Sequence, residues 1–91
     1  MAPDRDTLLR DLKNHVIEIF YLRGLGLKTN RLSLREDLLP KDFTQDPDQL
    51  NIMETYHSTH PFFIGAWNVN EKKWEYIDVN TISYVQIIDG Y

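Results

Sequence analysis

Residues 61–88 read PFFIGAWNVNEKKWEYIDVNTISYVQII and contain three short runs that are typical of β-strands. We expect strands at Phe62–Val69, Trp74–Asp78 and Ile82–Ile88, because β-branched and aromatic residues favour strands. Polar residues 70–73 and the corner at residues 79–81 separate the runs. This part of the chain is therefore predicted to form three consecutive strands joined by tight turns.

The second and third predicted strands are apolar on both faces. In the second, Trp74 and Tyr76 share one face and Ile77 and Val79 share the other. In the third, one face carries Ile82, Tyr84 and Ile88, and the other face carries Val85 and Ile87. Since a small sheet normally exposes one face to solvent and an apolar edge invites pairing, we expect something to cover these strands. Another copy of the chain is the simplest candidate.

The composition indicates one domain, spanning residues 1–91, with no disulfide or thiolate chemistry, since the chain has no cysteine. No apolar run approaches the roughly 20 residues that a membrane helix needs. The first residues lack the basic-then-apolar order of a signal peptide, so we expect a cytoplasmic protein with no membrane partner. A net charge of −4 argues against bulk electrostatic capture of nucleic acid.

The charge is unevenly distributed. Residues 1–35 hold seven Lys or Arg against four acids, or +3, and residues 36–91 hold three against ten, or −7. A ring of such chains could present one basic surface. The alternative is an ordinary mixed surface.

The first half of the chain predicts a helix and two strands. Asp4 or Asp6 can cap a helix that runs to about Asn14, and His15–Leu22 has strand composition. Two glycines follow, and Leu27–Leu34 alternates in the way a second strand does. A short N-terminal helix with five strongly bent strands predicts a mainly β fold, a small SH3-like five-stranded barrel.

Residues 36–59 form an insertion between the second and third strands. Pro40 and Pro47 interrupt it, and its polar pattern is irregular. Asp46 followed by Pro47 favours a short helix that extends to Met53 or Tyr56, because Asp caps helices and Pro suits the first turn.

Two segments resemble the Sm-like (LSm) family and in particular the bacterial RNA chaperone Hfq. Thr7–Leu12 (TLLRDL), leading into Val16–Leu22 (VIEIFYL) and a glycine, is similar to the family's helix, first strand and turn. Tyr76–Val85 (YIDVNTISYV) is similar to its fourth strand, corner and fifth strand. Among Sm-like proteins, the chain most resembles divergent members of phage type. The resemblance implies a ring of five to seven copies, in which the fourth strand of one copy pairs with the fifth of the next. The interface residues it implies are Trp74, Tyr76, Ile82, Tyr84 and Val85.

The resemblance also implies sites for single-stranded RNA. Phe62 would stack on a base with His60 beside it, and Asn80 would read a base edge, since an amide both donates and accepts. Alternatively, Phe62 belongs to the core and Asn80 stands at the corner because it tolerates a left-handed conformation. Val79-Asn80 replaces the basic Lys-His pair of Hfq, so we expect weaker RNA affinity than in basic members.

The helix could supply a second RNA-binding surface. In the ring that the resemblance implies, Arg5, Arg10 and Lys13 would form a basic annulus that contacts phosphates without reading sequence. Interleaved acids would weaken that annulus, and the alternative is a solvated helix face.

Catalysis is not expected. Glu54, His57 and His60 could ligate a metal if they were helical, but the spacing matches no metalloprotease signature and Pro61 ends such a helix. The chain shows no nucleophile motif and no phosphate-binding loop, so we expect neither metal nor cofactor. The expected function is non-catalytic RNA binding by a homo-oligomeric ring. The alternative is a ring-forming structural or adaptor protein that binds protein partners.

Overall fold

The computed structural model describes residues 4–44, 47–88 and 90. The described residues form three α-helices and five strands. Their order is the predicted one except that the insertion holds two helices instead of one. Their bounds are α1 Arg5–Asn14, β1 Val16–Arg23, β2 Gly26–Ser33, α2 Lys41–Thr44, α3 Pro47–Thr59, β3 Phe63–Asn68, β4 Lys73–Asp78 and β5 Ile82–Ile88. A 3₁₀ turn at Val79–Thr81 joins β4 to β5. None of the helices in the described ranges is both long and apolar enough to cross a membrane.

The five strands form one antiparallel sheet in the order β4-β3-β2-β1-β5. The prediction of a mainly β fold with an N-terminal helix is confirmed. The hydrogen-bonded order places β4 at one end of the sheet and β5 at the other. The two strands that the sequence analysis singled out as apolar on both faces are therefore the two edges.

Helix α1 is fixed at both ends. The carboxylate of Asp4 accepts the backbone N–H of Thr7 at 3.1 Å, which caps the first turn and is typically worth about 1 kcal/mol. At the other end, the carbonyl of Leu12 accepts the N–H of Leu34 at 2.8 Å. A helix of ten residues is too short to persist alone, so this packing against the sheet sustains it.

One cluster of buried apolar side chains draws on all five strands. Its members are Leu8 and Leu12 of α1 with Ile17, Ile19, Tyr21, Leu32, Leu34, Ile64, Ala66, Ile77, Val79 and Ile82. Helix α1 supplies two of these side chains and the strands supply most of the others. The strands must therefore curve around one another to bury them. The ion pair between Arg23 of β1 and Glu75 of β4, at 3.8 Å, agrees with this curvature, since β2 and β3 lie between those strands.

The insertion covers the outer face of β4. Phe43 of α2 packs on Trp74 with ring centroids 4.8 Å apart, and Tyr56 of α3 meets the edge of Tyr76 at 5.0 Å. The chain's own insertion therefore contacts part of this face, although Tyr76 remains 48% exposed. The expectation that another copy covers the rest stays a prediction. Helix α3 continues to Thr59, beyond the expected end. The predicted cap, Asp46, lies outside the described residues.

Candidate functional site at the two sheet edges

Phe62 lies on the surface next to the β4–β5 corner. The backbone N–H of Val79 donates to the carbonyl of Phe62 at 2.8 Å, and 60% of Phe62 is exposed. The alternative that Phe62 belongs to the core is therefore wrong. An exposed aromatic ring of this kind is accessible to a stacking partner.

Asn80 lies on the same corner with its side chain exposed. Its backbone N–H donates to the carboxylate of Asp78 at 2.9 Å, and this side-chain cap fixes the 3₁₀ turn. Among the described residues, the non-glycine residue with a positive φ is Lys72, at 59°. Asn80 is therefore not held there by a left-handed conformation, and the turn depends on Asp78 instead.

His60 lies two residues before Phe62, at the end of α3. Its ring stacks on Tyr56 with centroids 4.4 Å apart, and its Nδ1 lies 3.0 Å from the carbonyl of Tyr56. The N–H of Phe63 donates to the carbonyl of His60 at 3.1 Å. The ring of His60 thus packs on α3, whereas the backbone of Phe62 is hydrogen-bonded to the corner that carries Asn80. The RNA-binding role of the three residues stays a prediction.

Arg5 does not share the exposure of the other two helix cations. Its Nε donates to the carbonyl of Phe63 at 3.0 Å, and a second guanidinium nitrogen donates to the carbonyl of His57. Its side chain is 18% exposed, so it ties α1 to the insertion and to β3. Arg10 and Lys13 remain exposed, with Arg10 3.8 Å from Asp11. Any basic surface on α1 is thus limited to these two cations, blunted by Asp11.

His57 anchors α3 to β3 through a hydrogen bond that the sequence did not indicate. Its Nε2 accepts the backbone N–H of Gly65 at 3.1 Å, which requires the neutral imidazole at this nitrogen. Burial lowers the pKa of His57, and the positive charges of Arg5 and Lys13 on α1 lower it further. Burial also raises the pKa of the neighbouring Tyr56.

Gly65 makes room for this docking. A Cβ at this position would lie 3.0 Å from the ring of Tyr76 and 3.2 Å from the sulfur of Met53. The missing side chain therefore lets α3 and Tyr76 approach the strand closely. The sequence contained one indication of this packing, because an isolated glycine inside a predicted strand often marks the close approach of another element.

The exposed large apolar side chains lie in three places. Ile52, Phe62, Phe63 and Tyr76 are on or next to α3, β3 and β4, Tyr84 and Ile87 are on β5, and Leu22, Leu25 and Leu27 are at the end of the β1–β2 hairpin. Of the five implied interface residues, Tyr76 and Tyr84 are about half exposed, Trp74 and Val85 are partly buried, and Ile82 is buried in the core. Each edge strand thus carries at least one exposed aromatic side chain, Tyr76 on β4 and Tyr84 on β5.

A groove of about 1050 Å³ lies between α1 and the insertion, with Lys13, Phe43, Glu54 and His57 among its lining residues. In the part of the chain that the structure describes, no three His, Asp or Glu side chains lie close enough to hold a metal ion. The hydrogen bond from Gly65 occupies the Nε2 of His57, the nitrogen that a metal or a proton would need.

Comparison with protein-family models, with curated protein sequences and with solved structures finds no match to this chain.

Proposed function

We propose that this protein is a divergent Sm-like barrel that assembles into a homo-oligomeric ring and binds single-stranded RNA without catalysis. The observation that carries the assembly is the sheet order, which leaves β4 and β5 as the two edges. These are the strands that pair between copies in the rings that the sequence resembles. The curved five-stranded sheet and the N-terminal helix support the same assignment.

The two apolar edges support a ring over a simple dimer. The β4 side exposes Phe62, Phe63 and Tyr76, whereas β5 exposes Tyr84 and Ile87, so the two edges differ in their exposed side chains. Two different surfaces that bind each other make a head-to-tail contact, and repeated head-to-tail contacts generate closed rings when the rotation permits. Exposed apolar strand edges are otherwise a hazard of aggregation, which ring closure removes.

The RNA-binding half of the proposal depends on the corner of Phe62, His60 and Asn80. Phe62 offers an exposed ring, and its carbonyl accepts the backbone N–H of Val79. Asn80 is the next residue after Val79, and its side-chain amide can pair with a base edge. Stacking contributes about 1–3 kcal/mol per base and does not require net positive charge. This chemistry suits a chain whose net charge is −4.

Fluorescence anisotropy with short labelled U-rich and A-rich RNAs tests this function. We expect binding by the assembled protein, with an affinity that falls only weakly as salt rises, because few phosphates are neutralised. Assembly without binding to either RNA would contradict the RNA-binding half and leave the ring in place.

One observation favours an adaptor role as the second candidate. Leu25 is fully exposed at the tip of the β1–β2 hairpin, between half-exposed Leu22 and largely exposed Leu27. Leucine side chains cannot stack on bases, but they are suited to an apolar protein surface. An adaptor would keep its ring without RNA affinity, and Leu25→Ser would weaken capture of its protein partner.

A further inference from the structure

Helix α3 has a defined orientation across β3 and β4. His57 lies over β3, where its Nε2 accepts the N–H of Gly65, and Tyr56 lies over β4, where its ring meets Tyr76. These two neighbouring helix positions differ by about 100° around the axis. The side of α3 that carries Tyr56 therefore points towards the free edge of the sheet.

Ile52 lies one turn before Tyr56 on this same side of α3. Residues four apart share a helix face, and Ile52 is rotated farther than Tyr56 from the His57 side. Its side chain is 62% exposed, unlike that of Met53, which packs towards Gly65 and Tyr76. Ile52 therefore lies on the Tyr56 side of α3 with most of its side chain open to solvent.

The other edge of the sheet carries a matching apolar surface. Tyr84 of β5 is 57% exposed and packs on Phe20 of β1, with ring centroids 5.6 Å apart. Leu22 and Leu27 face each other in register farther along the same outer face.

We propose that α3 extends across the seam between copies and packs Ile52 against Tyr84 and Phe20 of the next copy. The inference rests on the proposed ring, in which β4 of one copy lies beside β5 of the next. Paired strands are about 4.8 Å apart, so the outer faces of β4 and β5 become one continuous surface. Helix α3, which contacts β4 through Tyr56 and Tyr76, then lies beside that surface. The insertion is thus an intersubunit clamp, and a second copy of this chain is its binding partner.

Single cysteines test the contact, because the natural chain contains none. Protein carrying Ile52→Cys is mixed with protein carrying Tyr84→Cys, the subunits are exchanged, and a short bismaleimide is added. We expect a crosslinked dimer on a denaturing gel from the mixture, at a yield well above that of either protein alone. The matched control is Ser58→Cys mixed with Tyr84→Cys, since Ser58 is exposed and lies about 120° from Ile52 around the axis of α3. Equal crosslinking by the Ser58 and Ile52 mixtures would overturn the clamp.

A second pair of variants measures the contribution of the clamp to assembly. Ile52→Asp is expected to raise the concentration at which the ring dissociates by about tenfold or more, as buried interface anchors do. Ser58→Asp, which places the same charge on the same helix, should leave it unchanged. If the wild-type protein forms a ring and Ile52→Asp dissociates at the wild-type concentration, the clamp is wrong and the ring stands. If the wild-type protein is monomeric throughout, the proposed ring fails and the clamp fails with it.

Discussion

The β4 edge and the β5 edge of this sheet differ in what lies over their outer faces. Over β4, Phe43 and Tyr56 of the insertion pack on Trp74 and Tyr76. Over β5, Tyr84 packs on Phe20 of the neighbouring strand, and more than half of the Tyr84 side chain remains exposed. Among the described residues, aromatic side chains of the insertion pack on β4, whereas the ring contact of Tyr84 on β5 is with Phe20 of β1. The two edges therefore present different surfaces, as the two sides of a head-to-tail contact do.

The largest effect is expected from a charge on the uncovered edge. Tyr84→Asp places a carboxylate on the strand that we expect to be buried between copies, so the ring should dissociate to monomers because burying an unpaired charge is costly. Light scattering measures the change in mass. Thr29→Asp is the matched control, since Thr29 is exposed on β2, which lies inside the sheet. A ring that survives Tyr84→Asp would contradict the role of the β5 edge.

The next effect concerns the covered edge. Gly65→Val forces methyl groups into the ring of Tyr76 and the sulfur of Met53, and overpacking of this kind costs about 1–3 kcal/mol. Urea unfolding should show this loss, and the fluorescence of Trp74 should shift to the red as the insertion lifts. Gly26→Val is the control, because a Cβ at Gly26 meets nothing within 4 Å. Equal stability of the two variants would indicate that the insertion is not packed closely on β3 and β4.

Phe62 tests whether the β4 edge has a second role besides assembly. Phe62→Ala should weaken RNA binding by about 5- to 150-fold, which corresponds to about 1–3 kcal/mol for one stacked base. The mass of the ring should not change, since Phe62 lies at the corner and outside the core. Unchanged RNA affinity in a folded, assembled variant would remove Phe62 from the site.

The smallest expected effect is a pH dependence of stability that arises from His57, through which α3 packs on β3. Burial and the charge of Arg5 lower the pKa of His57, so the folded protein binds this proton less readily than the unfolded chain. The contribution of neutral His57 to the free energy of unfolding is therefore complete above the ordinary pKa of about 6.5. This contribution decreases as the pH falls below that value. Urea unfolding at about pH 7.5 and about pH 5.5 measures this decrease.

His57→Gln is the control for that experiment, because a glutamine carbonyl can accept the N–H of Gly65 and does not titrate. The variant should lose less stability than the wild-type protein over the same pH interval. The same loss in both proteins would assign the pH dependence to other groups.

The strands were largely predictable and the insertion was not. Strand β5 has the predicted bounds, Ile82–Ile88, because its alternation and its flanking corner are local signals. Helix α2 was missed and α3 was expected to be shorter, since their apolar residues follow no clear helical period and are fixed by distant partners on β4. The role of Arg5 was hidden for the same reason, because its two carbonyl acceptors lie 58 and 52 residues along the chain.

The candidate corner was found by resemblance, and the structure clarifies why its residues lie there. A backbone hydrogen bond from Val79 to Phe62 joins the residue before β3 to the β4–β5 turn. The sequence could not reveal that bond, because it depends on the pairing of β3 with β4. It also could not distinguish an exposed Phe62 from a buried one, since apolar character alone fits both.

The mass of the wild-type protein in solution tests the central claim most directly, that β4 of one copy pairs with β5 of the next. Light scattering over a range of concentrations should give a mass five to seven times that of the 10.8 kDa chain. A monomer at every concentration would contradict the claim, because both sheet edges would then remain unpaired.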